Sequence, residues 1–140
     1  MKILVAVDGS SFTKRMLAYL AAHDEWLGAH HAYTVLNVVP RLPARAAAVV
    51  NKDVLEEYYN KEAETVFKPI RSFFAKQGLN ASFITRGGSA GETIAAVANK
   101  GGFDLVMLGS HGHGSLGTLV MGSVANKVVA HSTVPLLIVR

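Results

Sequence analysis

The chain has 140 residues, of which 50% are hydrophobic and 17% are charged, and it contains no cysteine. This composition excludes an intrinsically disordered chain and any chemistry that needs a disulfide or a thiolate, and the length predicts one domain over residues 1–140. The formal net charge is +4, but the basic residues are scattered from Lys2 to Arg140, so a nucleic-acid partner is not predicted.

The first half of the chain alternates between apolar runs and amphipathic segments. Ile3 to Val7 is a continuous apolar run, typical of a strand buried on both faces of a parallel sheet. The run is too short for a signal peptide or a membrane span, which predicts a cytoplasmic protein without a membrane partner. Ser10 or Ser11 can cap the helix that follows, whose apolar stripe extends to Leu27. Ala32 to Val39 is the second predicted strand.

The middle of the chain contains one irregular segment and one long helix. Arg41 to Val50 has no clear period and is predicted to be a loop or a loose helical start. Asp53 to Lys76 is an amphipathic helix that Pro69 can kink and Gly78 ends, and Asn80 to Thr85 is the third strand. The predicted buried stripe of this helix consists of Val54, Tyr58, Val66, Ile70, Phe73 and Phe74.

The last third continues the alternation. Ser89 and Glu92 have the spacing of a capping box for the next helix; beside Gly87-Gly88 they could instead belong to a second phosphate loop, but capping explains them without a ligand. Asp104 to Leu108 is the fourth strand and Leu136 to Val139 the fifth, with a short helix between them. Strands that alternate with helices predict right-handed crossovers. The predicted fold class is therefore α/β, a single three-layer doubly wound domain with a five-stranded parallel sheet, Rossmann-like.

A glycine-rich stretch follows the fourth strand. Leu108 to Ser123 contains five glycines among sixteen residues. Open α/β sheets bind ligands outside the carboxyl ends of their strands, so this stretch and Asp8 are expected to meet in one crevice. Gly109 and Gly112 permit turns and expose backbone N–H groups, and Gly122-Ser123 begins a helix whose N-terminus favours an anion. The stretch predicts a phosphate cradle made of backbone, with the serine hydroxyl either on the phosphate or capping the helix.

The spacing of these glycines resembles a known family motif. Gly109-x2-Gly112-x9-Gly122-Ser123 is similar to the G-2x-G-9x-G-[S/T] motif of the universal stress protein family, and the opening ILVAVDGS and the ending PLLIVR resemble that family's first and last strands. The resemblance covers the entire chain. It implies an adenine nucleotide alpha hydrolase-like fold and membership of the branch that binds ATP, with Mg²⁺ assisting.

The resemblance also implies which residues contact the nucleotide. Asp8 would close one side near the adenosine, and Val38 would contact adenine through its backbone. The implied set is Ala6, Val7, Asp8, Val38, Leu108, Gly109, Ser110, His111, Gly112, Gly122, Ser123, Val124 and Ala125.

Two further properties follow from the resemblance. Family members are often homodimers that pair through the last strand, here Leu136 to Val139, and an apolar strand at the chain end would leave a bare edge that invites such pairing. Members act as nucleotide-linked factors in the stress response and not as dedicated enzymes. The region Arg41 to Val50 varies among relatives, and its role as a lid is left open.

Other functions are open at this point. Asp8 is a general base or magnesium ligand of a slow ATPase or phosphotransferase, or it is a carboxylate that caps a helix. No lysine or arginine lies between Leu108 and Asn126, so the stretch is not a Walker A loop and lacks the usual charges of phosphoryl transfer. His111 and His113 could form a metal pair, but no third ligand is near in sequence, and no metal site is predicted. The glycines could also serve turns alone in a structural dimer.

Overall fold

The structure is a computed structural model of the chain and describes residues 1–113 and 120–140, so Gly114 and Gly117 of the glycine-rich stretch lie outside the described residues. The elements, in chain order, are β1 (Lys2–Ala6), α1 (Ser11–Ala22), α2 (Asp24–Leu27), β2 (Ala32–Val39), α3 (Ala44–Ala48), α4 (Lys52–Lys76), β3 (Ala81–Gly87), α5 (Ala90–Lys100), β4 (Leu105–Gly109), α6 (Ser123–His131) and β5 (Leu136–Val139).

The strands form one parallel sheet in the order β3-β2-β1-β4-β5. β1 lies in the middle, with Ile3 opposite Tyr33 of β2 on one side and Leu105 of β4 on the other. The chain builds outward from β1 to β3 and then crosses to β4, so the strand order reverses between β1 and β4. The doubly wound α/β sheet predicted from the sequence is confirmed.

Helices cover both faces of the sheet and create two cores. Alternate residues of β1 divide between them: Ile3 and Val5 pack with α1 and α4, whereas Leu4 and Ala6 pack with α5 and α6. A strand enclosed on both faces has no solvated side, which is why β1 is apolar from Ile3 to Ala6.

The first predicted helix is in fact two helices. Its apolar stripe was expected to extend to Leu27, but α1 ends at Ala22 and Leu27 lies in the separate helix α2. The interruption falls at His23, whose φ of −126° and ψ of 48° are not helical. Leu27 is nevertheless fully buried. The apolar spacing therefore predicted the burial of Leu27 correctly, but it wrongly predicted that one helix continues to this residue.

The predicted buried stripe of α4 is wrong at its beginning. Val54 and Tyr58 are 48% and 38% exposed. The buried positions of α4 are Ala63, Phe67, Ile70 and Phe74. These all lie in the later part of the helix and pack in the same core as Tyr33 and Val35 of β2.

The predicted capping interactions do not form. Ser10 and Ser89 occupy the N-cap positions of α1 and α5, but neither side chain makes a capping hydrogen bond. The backbone N–H of Ser10, and not its hydroxyl, takes part in the turn, where it donates to the Asp8 carboxylate. The Glu92 side chain of the expected capping box is exposed and lines an open groove along α5.

The segment Arg41 to Val50 is partly ordered as a helix. It contains α3, which is five residues long. Just before α3, the Leu42 backbone N–H donates to the Tyr59 hydroxyl of α4 at 3.2 Å. In the part of the chain that the structure describes, no helix is both long and apolar enough to cross a membrane.

Candidate functional site

The carboxyl ends of β1 and β4 border a cavity of about 420 Å³, at the point where the strand order reverses. The structure brings together at this cavity all but one of the residues that the family resemblance implies as nucleotide contacts. They are Ala6, Val7, Asp8, Val38, Leu108, Gly109, His111, Gly112, Gly122, Ser123, Val124 and Ala125.

The exception is Ser110, which is 1% exposed and does not line the cavity. Its backbone N–H donates to the Val139 carbonyl at 2.8 Å, and its carbonyl accepts from the Gly122 N–H at 2.7 Å. Ser110 therefore joins the end of β4 to β5 and to the start of α6. It positions the cavity wall without forming its surface.

The sequence did not identify five further residues of the cavity wall: Thr13, Leu36, Ala90, Ile94 and His113. One of them could have been found by periodicity. Leu36 lies two residues before Val38 on the same face of β2, as side chains alternate along a strand.

The wall is mainly apolar and carries a small number of polar side chains. Among its described residues the polar ones are Asp8, Thr13, His111, His113 and Ser123, and none is lysine or arginine. A concave, largely apolar wall with a few placed polar groups is the usual composition of a small-molecule site.

Asp8 takes part both in the turn between β1 and α1 and in the cavity wall. One carboxylate oxygen, Oδ1, accepts from the Ser10 backbone N–H and from the Thr13 hydroxyl, each at 2.9 Å. These bonds hold the turn between β1 and α1. The same residue also lines the cavity. Because the His113 Nε2 lies 2.8 Å from the Asp8 carbonyl oxygen, which can only accept, that nitrogen carries a proton.

The first two motif glycines do not adopt the left-handed backbone conformation, and both lie where there is little room for a side chain. Neither Gly109 nor Gly112 is among the described glycines with positive φ. A Cβ on Gly109 would lie 2.8 Å from the Phe12 Cβ, and one on Gly112 would lie 2.5 Å from Asp8 Oδ2. The glycine-rich stretch therefore begins in direct contact with the β1–α1 turn.

The third motif glycine begins α6. Gly122 is the N-cap, with φ of −73° and ψ of 169°, so the capping interpretation of Ser123 is wrong: Ser123 is the first helical residue and is exposed at the cavity. With glycine as the N-cap, no capping side chain covers the N–H groups of the first turn. Such a helix start is suited to an anion.

The two histidines of the stretch have separate partners. His111 Nδ1 lies 2.8 Å from the Ser110 hydroxyl oxygen, and its ring centroid lies 4.8 Å from that of Phe12. His113 is held by the Asp8 carbonyl. Among residues 1–113 and 120–140, no group of three or more His, Cys, Asp or Glu is placed to hold a metal ion.

Comparison with known proteins gives the family. The model of the Universal stress protein family matches residues 1–140. The chain is 30% identical to universal stress protein YxiE of Bacillus subtilis over 99% of this chain and 98% of that protein. It is 32% identical to a universal stress protein of Thermus aquaticus over 99% of this chain and 97% of that protein. The chain belongs to the universal stress protein family.

Solved structures of family members have the same fold. UspA from Lactobacillus plantarum aligns with a TM-score of 0.76 and 25% identity, over 100% of this chain and 97% of that chain. The Archaeoglobus fulgidus protein in complex with dAMP aligns at 0.69 and 20%, over 100% and 98%. An Arabidopsis thaliana member with AMP bound aligns at 0.71 and 14%, over 99% and 90%. The last two likenesses, at low identity, concern the fold alone.

Proposed function

We propose that this protein is a nucleotide-binding regulatory module of the stress response, whose cavity binds adenine nucleotides and prefers ATP. The observation that carries the proposal is the cavity at the strand-order reversal, where an apolar wall meets the uncapped start of α6. An apolar wall suits a purine base, and backbone N–H groups at a helix start suit phosphates. The dAMP and AMP complexes of proteins with this fold support the choice of adenine.

Mg²⁺ fits the proposed site in a limited way. Asp8 is the one carboxylate among the described residues of the wall. Mg²⁺ at nucleotide sites is commonly held by one or two carboxylates together with the phosphates, so Asp8 could hold the ion only jointly with bound nucleotide. The ion would neutralise phosphate charge there.

The proposed role is binding without efficient catalysis. Phosphoryl transfer depends on cationic side chains that stabilise charge in the transition state, and the described wall has no lysine or arginine. Backbone N–H groups that bind ground and transition states alike do not raise turnover. Asp8 as a general base is the alternative, but its Oδ1 is engaged by Ser10 and Thr13. Bound ATP would then persist and report its own presence to a partner.

The proposal extends to assembly and location. β5 lies at an edge of the sheet, and its four residues are only partly buried, which suits pairing with a second copy through Leu136 to Val139. A chain without cysteine suits the reducing cytoplasm.

The decisive experiment removes one backbone donor without straining the helix. Proline is tolerated at the first helical position, and the extended backbone of Gly122 is compatible with a following proline, so Ser123→Pro should fold normally. It deletes both the Ser123 N–H and the hydroxyl, whereas the matched control Ser123→Ala deletes the hydroxyl alone. We expect Ser123→Pro to weaken ATP binding at least tenfold in calorimetry, and Ser123→Ala to weaken it by much less.

Adenosine provides the internal control because it has no phosphates. Its binding should be nearly equal in the wild type and in both variants. Absence of heat with ATP at millimolar concentration on the wild type would refute nucleotide binding. An equal loss of ATP affinity in the proline and alanine variants would refute the role of the α6 N–H group.

A further inference from the structure

A second cavity, of about 580 Å³, lies along α5 and shares no lining residue with the first. Three cationic residues, Arg41, Arg86 and Lys100, line this basic groove. Glu92 is the one acidic residue among its described lining residues. The groove therefore carries an excess of positive charge in a concave surface.

The turn between β3 and α5 places the two arginines at one end of the basic groove. Arg86 lies in β3, opposite Val38 of β2, and Arg41 follows the end of β2 by two residues. The Gly88 N–H donates to the Val39 carbonyl at 3.0 Å and so closes the turn onto β2. Gly88 has φ of +150°, and a Cβ there would lie 3.9 Å from the Arg41 Nε. The turn thus needs glycine at position 88, and the Arg41 side chain lies close to the backbone of this turn.

Lys100 lies at the other end of the groove. The lining residues of α5 are Glu92, Thr93, Ala96, Val97 and Lys100. Their spacing describes one face of the helix. Lys100 follows Glu92 by eight positions, which corresponds to about 12 Å along the axis at the usual rise of an α-helix. A single phosphate is too small to contact both the arginine end and the lysine end.

The cations of the basic groove are not neutralised by ion pairs. Within residues 1–113 and 120–140 the ion pair closer than 4.0 Å is Arg71 with Glu64, on α4. Glu92 therefore shares the groove without pairing to its cations. Concave surfaces lined by charge of one sign concentrate the electrostatic potential and attract counter-ions.

We propose that the basic groove binds an extended phosphate-bearing anion, of the linear oligophosphate class. Guanidinium groups match phosphate oxygens in a bidentate way, and lysine is a compact point charge for the far end of the chain. The free inorganic chain and the polyphosphate of a nucleotide share this chemistry. The groove shares no lining residue with the proposed nucleotide cavity, so binding at the two places can be tested separately.

The test is a titration of ¹⁵N-labelled protein with inorganic tripolyphosphate at fixed, low ionic strength. Saturable amide shifts are expected near Arg86, Thr93 and Lys100. Arg86→Gln and Arg41→Gln should each weaken binding at least fivefold, and Glu92→Gln should strengthen it about twofold or more. Lys76→Gln, which removes one positive charge from the exposed end of α4, is the matched control and should change little. All four side chains are exposed, and thermal unfolding verifies that each variant is folded.

Orthophosphate and ATP are the other arms of the titration. Orthophosphate should bind at least tenfold more weakly than tripolyphosphate, and equal affinity would overturn the inference of an extended ligand. Groove shifts with ATP as well as tripolyphosphate support a nucleotide as the source, and shifts with tripolyphosphate alone support a free chain. Shifts confined to residues 108–112 and 122–125, or a loss in Arg86→Gln no larger than in Lys76→Gln, would overturn the site. Ser123→Pro should leave groove binding intact, so this proposal can fail or succeed separately from nucleotide binding.

Discussion

At the scale of single residues, Tyr33 shows how burial couples protonation to stability. Its side chain is 2% exposed, and its hydroxyl donates to the Leu27 carbonyl at 2.5 Å, with the Gly28 carbonyl at 3.2 Å. Burial raises the pKa of Tyr33 from 10.0 to about 12. The folded protein therefore retains this proton at a pH where the unfolded chain has lost it, and the stabilisation is complete below pH 10 and lost as the pH rises through the folded pKa.

Tyr33→Phe tests this coupling. At pH 8 the variant should be less stable than the wild type by about 1–3 kcal/mol, because the Leu27 and Gly28 carbonyls lose their donor. Between pH 10 and 12 the wild type should lose up to about 2–3 kcal/mol that the variant does not lose, so the difference between them narrows. Urea unfolding of both proteins from pH 8 to pH 12 measures the difference in their free energies of unfolding. A difference in unfolding free energy that is constant with pH would contradict the assignment.

The site residues could be predicted from the sequence to a large extent, but the reasons for them could not. The spacing of Gly109, Gly112 and Gly122 led to the cavity. The structure places Gly112 against the Asp8 carboxylate, where a Cβ would have little room, and this contact joins segments about a hundred residues apart. No local pattern reports such a contact. Leu36 could have been predicted from the alternation of side chains along β2. Thr13 could not, because it belongs to the wall beside Asp8, to which its hydroxyl donates a hydrogen bond.

At the scale of elements, β5 is the strand whose free edge matters most for the proposed dimer. Val106 donates to the Pro135 carbonyl and Ser110 to the Val139 carbonyl, so the odd-numbered residues of this segment direct their backbone groups toward β4. In a strand the direction of the backbone groups alternates, so Leu136 and Ile138 direct theirs to the free edge. Those are the N–H groups that a second copy would use.

Ile138→Pro tests pairing through that edge. Proline removes the outward N–H of Ile138 and is tolerated on an edge strand, so the bonds to β4 should persist. The matched control Ile138→Ala loses the same packing in the core between the sheet and helices α5 and α6, but it keeps the N–H. At tens of micromolar, light scattering should give a dimer mass for the wild type and the alanine variant and a monomer mass for the proline variant. A monomeric wild type would contradict the proposed dimer.

The elements were predicted well where burial alone determines them and less well elsewhere. The five strands were identified because apolar and β-branched residues make up most of each one. The break at His23 was missed because the apolar spacing continues across it into α2. The exposure of Val54 and Tyr58 was missed because periodicity describes only which residues share a face of the helix, and not how much of that face is covered.

At the scale of the whole molecule, the proposed function predicts an ATP-binding protein that turns over very slowly. With purified protein and excess MgATP, phosphate release should be far slower than the enzyme median of roughly 10 per second. Asp8→Asn is the control, because it removes the carboxylate charge and keeps an oxygen that can accept from Ser10 and Thr13. A wild-type rate near the median that is lost in this variant would show a dedicated ATPase.

The architecture also gives α5 two different neighbours. Ala90 and Ile94 face the cavity at the strand-order reversal, and Thr93 and Val97 face the basic groove, so one helix is a wall of both. Two ligands that share a wall are thermodynamically linked if either one shifts it. Whatever factor an oligophosphate in the groove imposes on nucleotide affinity, the nucleotide must impose on the oligophosphate, in the same direction and by the same amount. Through α5, the concentration of one phosphate compound would then set how tightly the protein binds the other.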